Sequence, residues 1–332
     1  MSEPKVLPRD YIDVLIASPK HCTATEAAKC QPDLPDPPAH DAFTRLLHCL
    51  EPDPEALWRE AQTQVVKPLG VLVIDDSTLD KPYARSIDLV TRLWSGKHHA
   101  VVSGINLVTL LWTDGDRHIP CDYRVYDKSD PWTKNDHFAA MVRVAHQRGF
   151  EPRCVVFDSW YCSLANLKLL TSLGWKWLTR LKSNRLVNVN REGTKAVSRT
   201  TIAASGTEVW LPGYGLVKVF GIVAPNGDIA YWATNDLAMT ALERVQFAEF
   251  SWAIESDHRG IKPCTGIERC QCRSARSQRN PIGRALRAFL RLEAYCYANG
   301  VSWYEATRSI ARNAVREFIN YPTIRFPKVS TA

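Results

Sequence analysis

Two short apolar runs that each end in an aspartate constrain this 332-residue chain more than any other feature. Asp75 follows the run Val71–Ile74, and Asp158 follows the run Val155–Phe157. Runs of this length and composition are typical of buried strands. A third acid, Glu255, follows an apolar triplet in a segment with helical spacing. Two strand-end aspartates and a helix glutamate predict a site for divalent metal ions.

The elements around these acids follow the order of an α/β fold. Strand patterns dominate residues 70–125, and helical and strand patterns then alternate as far as residue 181. Strands followed by alternating helix and strand are the order of an RNase H-like core. We therefore predict an RNase H-like mixed sheet core with a β-rich insertion and helical N- and C-terminal parts.

The same patterns divide the chain into five predicted parts. The segment Thr23–Lys29 resembles the first helix of a helix-turn-helix, so the N-terminal module either binds DNA or packs on the core. Short apolar segments between Gly and Asn turns predict the insertion. The parts are a helical N-terminal module (1–68), the first part of the catalytic core (69–182), the β-rich insertion (183–237), a helical completion of the core with the third acid and basic helices (238–320), and a tail (321–332).

The charge of the chain indicates a nucleic-acid partner. The net charge is +7, and the excess is concentrated between Arg259 and Arg291, where nine Lys or Arg accompany one acid, Glu268. Such a density suits neutralisation of DNA phosphates, and a solvated basic helix face is the alternative.

Membrane and secretion signals are missing from the sequence. No apolar run approaches the roughly 20 residues that a membrane span needs, and the first residues lack the pattern of a signal peptide. We therefore expect no membrane association and a location in a bacterial cytoplasm, at the nucleoid. The ten cysteines form no Cys-x-x-Cys pair, so reduced cysteines are expected rather than structural zinc.

Three carboxylates from separate parts of the chain suit metal-dependent phosphoryl transfer. Two divalent ions about 4 Å apart activate the attacking oxygen and stabilise the leaving oxygen. Mg²⁺ and Mn²⁺ prefer carboxylate oxygens. We therefore predict that Asp75, Asp158 and Glu255 are the catalytic residues and hold two Mg²⁺ or Mn²⁺ ions.

Two other acids compete for these positions. Asp76 follows Asp75, and because strand residues alternate between faces, only one of the two side chains points at the site; we favour Asp75. Asp257 and Glu255 lie about 200° apart on a helix, so they do not face the same ion.

The third acid lies in a segment that resembles a family signature. DDE transposases of bacterial insertion sequences have Tyr, two residues, Arg, three residues, Glu, six residues and Lys at this point. Glu255 and Lys262 match that spacing. The Tyr and Arg positions hold Ala248 and Ser251, so the DNA contacts of those two family residues are not expected here.

The first two acids extend this resemblance. Residues 75–82 read Asp-Asp-Ser-Thr-Leu-Asp-Lys-Pro, as in one subgroup of the family, and residues 157–161 are similar to the second acid motif. The resemblance covers residues 40–320. It implies a transposase that cleaves the ends of its element and joins them to target DNA by two-metal phosphoryl transfer. It also implies a homodimer on paired double-stranded ends, which are the terminal inverted repeats.

Two other functions stay open from the sequence. The chain is alternatively an RNase H-like nuclease without strand transfer, or a catalytically silent DNA-binding protein derived from a transposase. Ser251 and Ala248, which replace two family residues, give weight to the silent alternative.

Basic residues near the acids are the candidate DNA contacts. Lys262 lies about two turns after Glu255 and on nearly the same face if one helix carries both, although Gly260 and Pro263 interrupt the helical pattern. Other candidates follow the predicted strand 175–181 or the third acid. The candidate DNA-binding residues are Arg180, Lys182, His258, Arg259, Lys262, Arg273 and Arg276.

Overall fold

The structure, a computed structural model, describes residues 5–323 except 19, 21, 33, 34, 97, 192 and 225. Most of the predicted tail therefore lies outside the described residues. Within the described part, no helix is long and apolar enough to cross a membrane.

One mixed sheet of eleven strands connects the catalytic core to the predicted insertion. The strands are β1 (Val71–Asp80), β2 (Thr91–Ser95), β3 (Ala100–Thr113), β4 (His118–Val125), β5 (Cys154–Phe157), β6 (Trp177–Leu181), β7 (Leu186–Asn188), β8 (Thr194–Ala196), β9 (Thr207–Leu211), β10 (Gly215–Val223) and β11 (Ile229–Thr234). Their order is β2-β3-β1-β5-β6-β11-β10-β9-β7-β8, and β4 also pairs with β3. Strands β5 and β6 run parallel to β1, whereas the other pairs are antiparallel.

Helices cover this sheet and form both ends of the described chain. They are α1 (Pro8–Ala17), α2 (Ala24–Lys29), α3 (His40–Cys49), α4 (Glu55–Ala61), α5 (Lys134–Gln147), α6 (Leu164–Ser172), α7 (Ala241–Glu249), α8 (Ser251–Thr265), α9 (Ala275–Asn299) and α10 (Trp303–Asn320). Side-chain caps set several starts: Thr133 accepts a hydrogen bond from Asp136 N at α5, and Ser163 accepts one from Asn166 N at α6. The predicted mixed α/β architecture is confirmed.

The two faces of the central strands lie in different cores because strand residues alternate. Leu72 and Ile74 of β1 are buried in the larger core, which α1, α5, α6 and α9 complete. Val71 and Val73 of β1 are buried in a smaller core beneath α7 and the first half of α8. The face that a β1 residue occupies therefore decides whether it looks towards α8.

Two expectations about β1 and α8 need correction. Asp75 does not end its strand, because β3 pairs with β1 along the whole length from Val71 to Asp80 and extends the ladder past the apolar run. Helix α8 continues through Gly260 and Pro263 and ends only at Gly266, which adopts a left-handed φ of 62°. Gly260 permits close packing there, because a Cβ would lie 2.6 Å from the Trp303 ring.

Helix α9 also begins earlier than expected. The sequence predicts a start near Arg284, but the helix starts at Ala275, where the Ser274 side chain accepts a hydrogen bond from Ser277 N. Pro281 lies inside α9. The early start places the second half of the basic run on one rigid helix.

Candidate active site

The parallel pairing of β1 with β5 places two aspartates side by side. Ile74 is in register with Phe157, so the next residues on the two strands are Asp75 and Asp158. β5 ends at Phe157, and Asp158 caps a single 3-10 turn by accepting a hydrogen bond from Trp160 N at 3.3 Å. Asp158 is exposed, whereas Asp75 is half-buried.

Strand alternation separates Asp75 from Asp76. Asp75 follows Val71 and Val73 on the face beneath α8, and Asp76 follows Leu72 and Ile74 on the opposite face. Asp75 therefore shares its face with the first half of α8, which carries the third acid, while both aspartates line the cleft beside Glu255. This geometry favours Asp75 as the metal ligand, as the sequence-based preference has it.

Asp76 is held by three side chains of its own. Its carboxylate accepts hydrogen bonds from Asn106 Nδ2 at 2.5 Å and Tyr161 Oη at 2.8 Å, and it pairs with Lys134 Nζ at 2.9 Å. Burial alone raises the pKa of Asp76, but the Lys134 charge and these hydrogen bonds outweigh burial and lower it. Asp76 is therefore a neutralised structural anion.

Asp75 has no such compensation. No side chain among the described residues donates a hydrogen bond to it, and its pKa is raised to about 8. Burial is the largest cause, followed by the charge of Asp76 and, more weakly, the charges of Asp158 and Glu255. The three predicted acids therefore lie close enough to interact electrostatically, and among the described residues no side-chain cation pairs with Asp75 itself.

Glu255 lies on the exposed side of α8, where Arg259 contacts it. Arg259 Nη2 lies 3.3 Å from its carboxylate one helical turn later. The neighbouring acid Asp257 points the other way, is fully buried, and has no hydrogen-bond partner on either oxygen within the described chain. This arrangement agrees with the expectation that only one of these two acids serves the site.

The carboxylate set fits divalent cations by its chemistry. Carboxylate oxygens are the ligands that Mg²⁺ and Mn²⁺ prefer, and the unbalanced charge around Asp75 suits a cation. As placed in residues 5–323 outside the gaps, no three His, Cys, Asp or Glu side chains are close enough together to hold one metal ion.

Lys262 and His258 are both less available than the sequence suggests. Lys262 Nζ donates a hydrogen bond to Thr78 O of β1 at 2.7 Å and pairs with Glu268 at 3.0 Å. His258 Nε2 is buried without a hydrogen-bond partner among the described residues. Burial and, to a smaller degree, Lys262 lower the pKa of His258 to about 4, so the ring is neutral at pH 7.

The predicted contacts in β6 and directly after it are exposed. Arg180 lies with its guanidinium 5.0 Å from the Trp232 ring centre, and Lys182 Nζ lies 5.3 Å from the Trp160 ring centre, close to Asp158. Both side chains remain accessible to a ligand. Trp160 is itself 55% exposed.

The basic run after α8 is largely used inside the protein. Arg276 pairs with Glu51 at 2.7 Å, whereas Arg273 is exposed and makes no side-chain ion pair within the described part of the chain. Other members of the run pair with acids of the N-terminal helices or of the loop before α5, namely Arg279 with Asp127, Arg287 with Glu60, and Arg291 with Glu60 and Asp13. Fewer Lys and Arg side chains of this run are therefore free to bind DNA phosphates than the sequence suggests.

A broad cleft runs from Asp75, Asp76 and Glu255 to the N-terminal helices. Its lining includes Asp75, Glu255, Arg259, Lys262, Tyr83 and Arg269.

The positions of Lys134 and Tyr161, which hold Asp76, were not predicted. The Thr133 cap was a detectable signal for a helix that begins at Lys134, but its contact with Asp76 depends on long-range packing.

Comparison with known proteins identifies a family and a fold. The family described as DDE superfamily endonuclease matches residues 34–201, just over half of the chain. No curated protein matches. The piggyBac transposase synaptic complex with hairpin DNA is similar over 100% of this chain and 78% of that chain, at 12% identity and a TM-score of 0.54.

Two further solved structures are more distant. The Drosophila P element transposase strand transfer complex matches 56% of this chain and 46% of that chain, at 14% identity and a TM-score of 0.30. Human ENDOV matches 76% of this chain and 96% of that chain, at 13% identity and a TM-score of 0.29. The likeness to the piggyBac structure confirms the predicted fold class.

Proposed function

The chain belongs to the DDE superfamily endonuclease family, and we propose that it cleaves the ends of its own DNA element and joins them to target DNA. Membership confirms the sequence-based expectation of a DDE transposase, a metal-dependent enzyme acting on DNA. One observation carries the proposal: the register of β1 with β5 sets Asp75 beside Asp158, on the face that α8 covers with Glu255.

In this proposal Asp75, Asp158 and Glu255 hold the metal ions. Bound Mg²⁺ or Mn²⁺, two per site, activates the attacking oxygen and stabilises the leaving oxygen of the phosphodiester. The protein supplies the orientation of the carboxylates: Asp75 is held opposite Thr109 of β3, one residue after the last pair of β1 with β5, and Asp158 is held by its cap of the following turn. Glu255 is supplied by the exposed face of α8.

DNA enters through the cleft between the N-terminal helices and α8 in this proposal. Arg259, Arg180, Lys182 and Arg273 are exposed and serve as phosphate contacts. Lys262, Arg276 and His258 are already bonded or buried, so they contribute only if their present contacts exchange for DNA. Terminal inverted repeats, target DNA and a homodimer on paired ends complete the proposal, with a bacterial nucleoid as the location.

A silent DNA-binding protein is the second candidate, and one contact favours it. Ser251 Oγ donates to Ala248 O at 2.6 Å, so the two positions where the family has Arg and Tyr form a local bond at the start of α8. Neither position therefore offers DNA a cation or an aromatic hydroxyl. The nuclease without strand transfer rests on the same site and differs only in its products.

A cleavage and strand-transfer assay separates these functions. The substrate is linear DNA that carries the inverted repeats bracketing the gene, with a supercoiled plasmid as target, in Mg²⁺ or Mn²⁺. The proposal predicts nicked ends and joined products with wild type, neither with Asp158→Asn or Glu255→Gln, and both with the control Asp228→Asn in an exposed turn. Nicking without joining identifies a nuclease, and DNA binding without nicking identifies the silent protein.

A further inference from the structure

Arg284 of α9 is a buried charge that pairs with no acid among the described residues. Its side chain is only 6% exposed. Its Nη1 donates to Asn280 O at 2.9 Å and to Asn280 Oδ1 at 3.0 Å, both neutral acceptors. Its Nε is buried and has no hydrogen-bond partner among the described residues.

The neighbouring arginines of α9 each pair with a carboxylate. Arg279 pairs with Asp127 at 3.0 Å, and Arg287 pairs with Glu60 at 2.5 Å. Burial lowers the pKa of Arg284 to about 10, which leaves the guanidinium charged at pH 7. A buried charge is costly unless a counter-charge accompanies it, and no carboxylate of the described chain fills that role here.

Arg284 lines a cavity between the N-terminal helices and α9. Tyr123, Asn280 and Gly283 line it as well. Tyr123 Oη makes no hydrogen bond with a described residue, and it reaches α9 because Gly283 has no side chain: a Cβ there would lie 2.3 Å from Oη. Burial, and then the charge of Asp122, raise the pKa of Tyr123, so its hydroxyl remains a donor.

The acids that line the same cavity are already neutralised. Glu51 pairs with Arg276, Asp53 with Arg59, and Glu60 with Arg287. Arg284 is therefore the cation left over in this cavity.

We propose that this cavity binds a phosphate oxyanion between the Arg284 guanidinium and the Tyr123 hydroxyl. Guanidinium groups bind phosphate oxygens through charge-assisted hydrogen bonds, and a hydroxyl donor adds a second contact. Asn280 Nδ2 also donates to Leu47 O at 2.8 Å and Leu50 O at 2.7 Å. An oxyanion bound to Arg284 therefore stabilises the packing of the N-terminal helices against α9. The phosphate is either a free ion or a phosphodiester of bound DNA.

Thermal unfolding in inorganic phosphate tests the site without any DNA or catalysis. A ligand that binds only the folded state raises the unfolding temperature, and we expect a rise of about 2–5 °C over chloride at equal ionic strength. Arg284→Gln and Tyr123→Phe should lose this rise. Arg316→Gln, which removes an exposed arginine of α10 outside the cavity lining, should keep it.

The two variants differ in how much they endanger folding, so at least one of them can be measured. Tyr123→Phe removes only a hydroxyl that has no protein partner, so it should fold even if Arg284→Gln does not. The proposal is overturned if phosphate does not raise the unfolding temperature of wild type. It is also overturned if Tyr123→Phe, and Arg284→Gln where that variant folds, show the same rise as wild type.

A second arm identifies the source of the phosphate. Binding of a short fluorescent DNA duplex is measured with and without inorganic phosphate at constant ionic strength. If the occupant is a DNA phosphodiester, Tyr123→Phe weakens duplex binding and phosphate competes in wild type more than in the variant. If it is a free ion, duplex affinity is equal in both proteins while the thermal effect persists.

Discussion

Lys134 Nζ lies 2.9 Å from Asp76 Oδ2, and this ion pair distinguishes the two adjacent aspartates of β1. It neutralises Asp76 on one face of the sheet. Asp75, on the other face, has neighbours of its own charge, and its pKa is raised by burial and by those neighbours. In the proposed function, this ion pair gives Asp76 a structural role and Asp75 is the metal ligand.

Substitution of Asp75 should lower DNA cleavage, whereas substitution of Asp76 should lower stability. Asp75→Asn removes a metal ligand and should lower DNA cleavage by at least about 100-fold, because stabilisation of the transition state by the ions is worth several kcal/mol. Asp76→Asn leaves Lys134 without its partner and should lower the free energy of unfolding by about 1–3 kcal/mol. Cleavage rates and urea unfolding of both variants check this. Equal unfolding free energies for the two variants would contradict the assignment.

Asp257 should make stability depend on pH. Its pKa is raised well above the usual value by burial and by Glu293, so the folded state keeps a proton that the unfolded state releases above about pH 4. Stability from this group is therefore present below the unfolded pKa and lost as pH rises towards the folded pKa, at about 1.4 kcal/mol per pH unit.

Asp257→Asn removes this titration. The variant should be more stable than wild type at pH 8 and should show a flatter pH profile, measured by urea unfolding between pH 5 and pH 8. Asp130→Asn, at an exposed position, is the matched control and should follow wild type. A pH profile of Asp257→Asn that is parallel to wild type would refute the assignment.

Gly260 should be intolerant of even a methyl group. A Cβ at this position would lie 2.6 Å from the Trp303 ring of α10 and 2.9 Å from the Phe289 ring of α9, so α8 would have to move away from both helices. Gly260→Ala should lower the free energy of unfolding by about 1–3 kcal/mol. Gly96→Ala, where a Cβ meets nothing within 4 Å, is the control. Thermal unfolding compares them, and equal destabilisation would exclude overpacking as the cause.

The parts of the site that local patterns determine were predictable. Val71–Ile74 and Val155–Phe157 form strands because short β-branched runs pair well inside a sheet, and the aspartates that follow them were found on this basis. The continuation of β1 to Asp80 was not predictable, because it depends on pairing with β3 more than twenty residues later.

The ion pairs of the basic run between Arg259 and Arg291 could not be predicted from the sequence either. Its composition indicated cations free for DNA, but Arg276 and Arg287 pair with Glu51 and Glu60, which lie over two hundred residues away in sequence. Pairing at such separation leaves no local pattern. The lack of an acid beside Arg284 could not be detected from the sequence for the same reason.

Iron-mediated cleavage of the protein backbone tests the central claim most directly. Fe²⁺ replaces Mg²⁺ at the site, and with ascorbate and peroxide it generates radicals that cut the chain next to the bound metal. The account predicts cuts near Asp75, Asp158 and Glu255, which Mg²⁺ suppresses and which disappear in Asp75→Asn but persist in Asp76→Asn. Cuts confined to other segments, or unchanged in Asp75→Asn, would contradict a metal site built from these three acids.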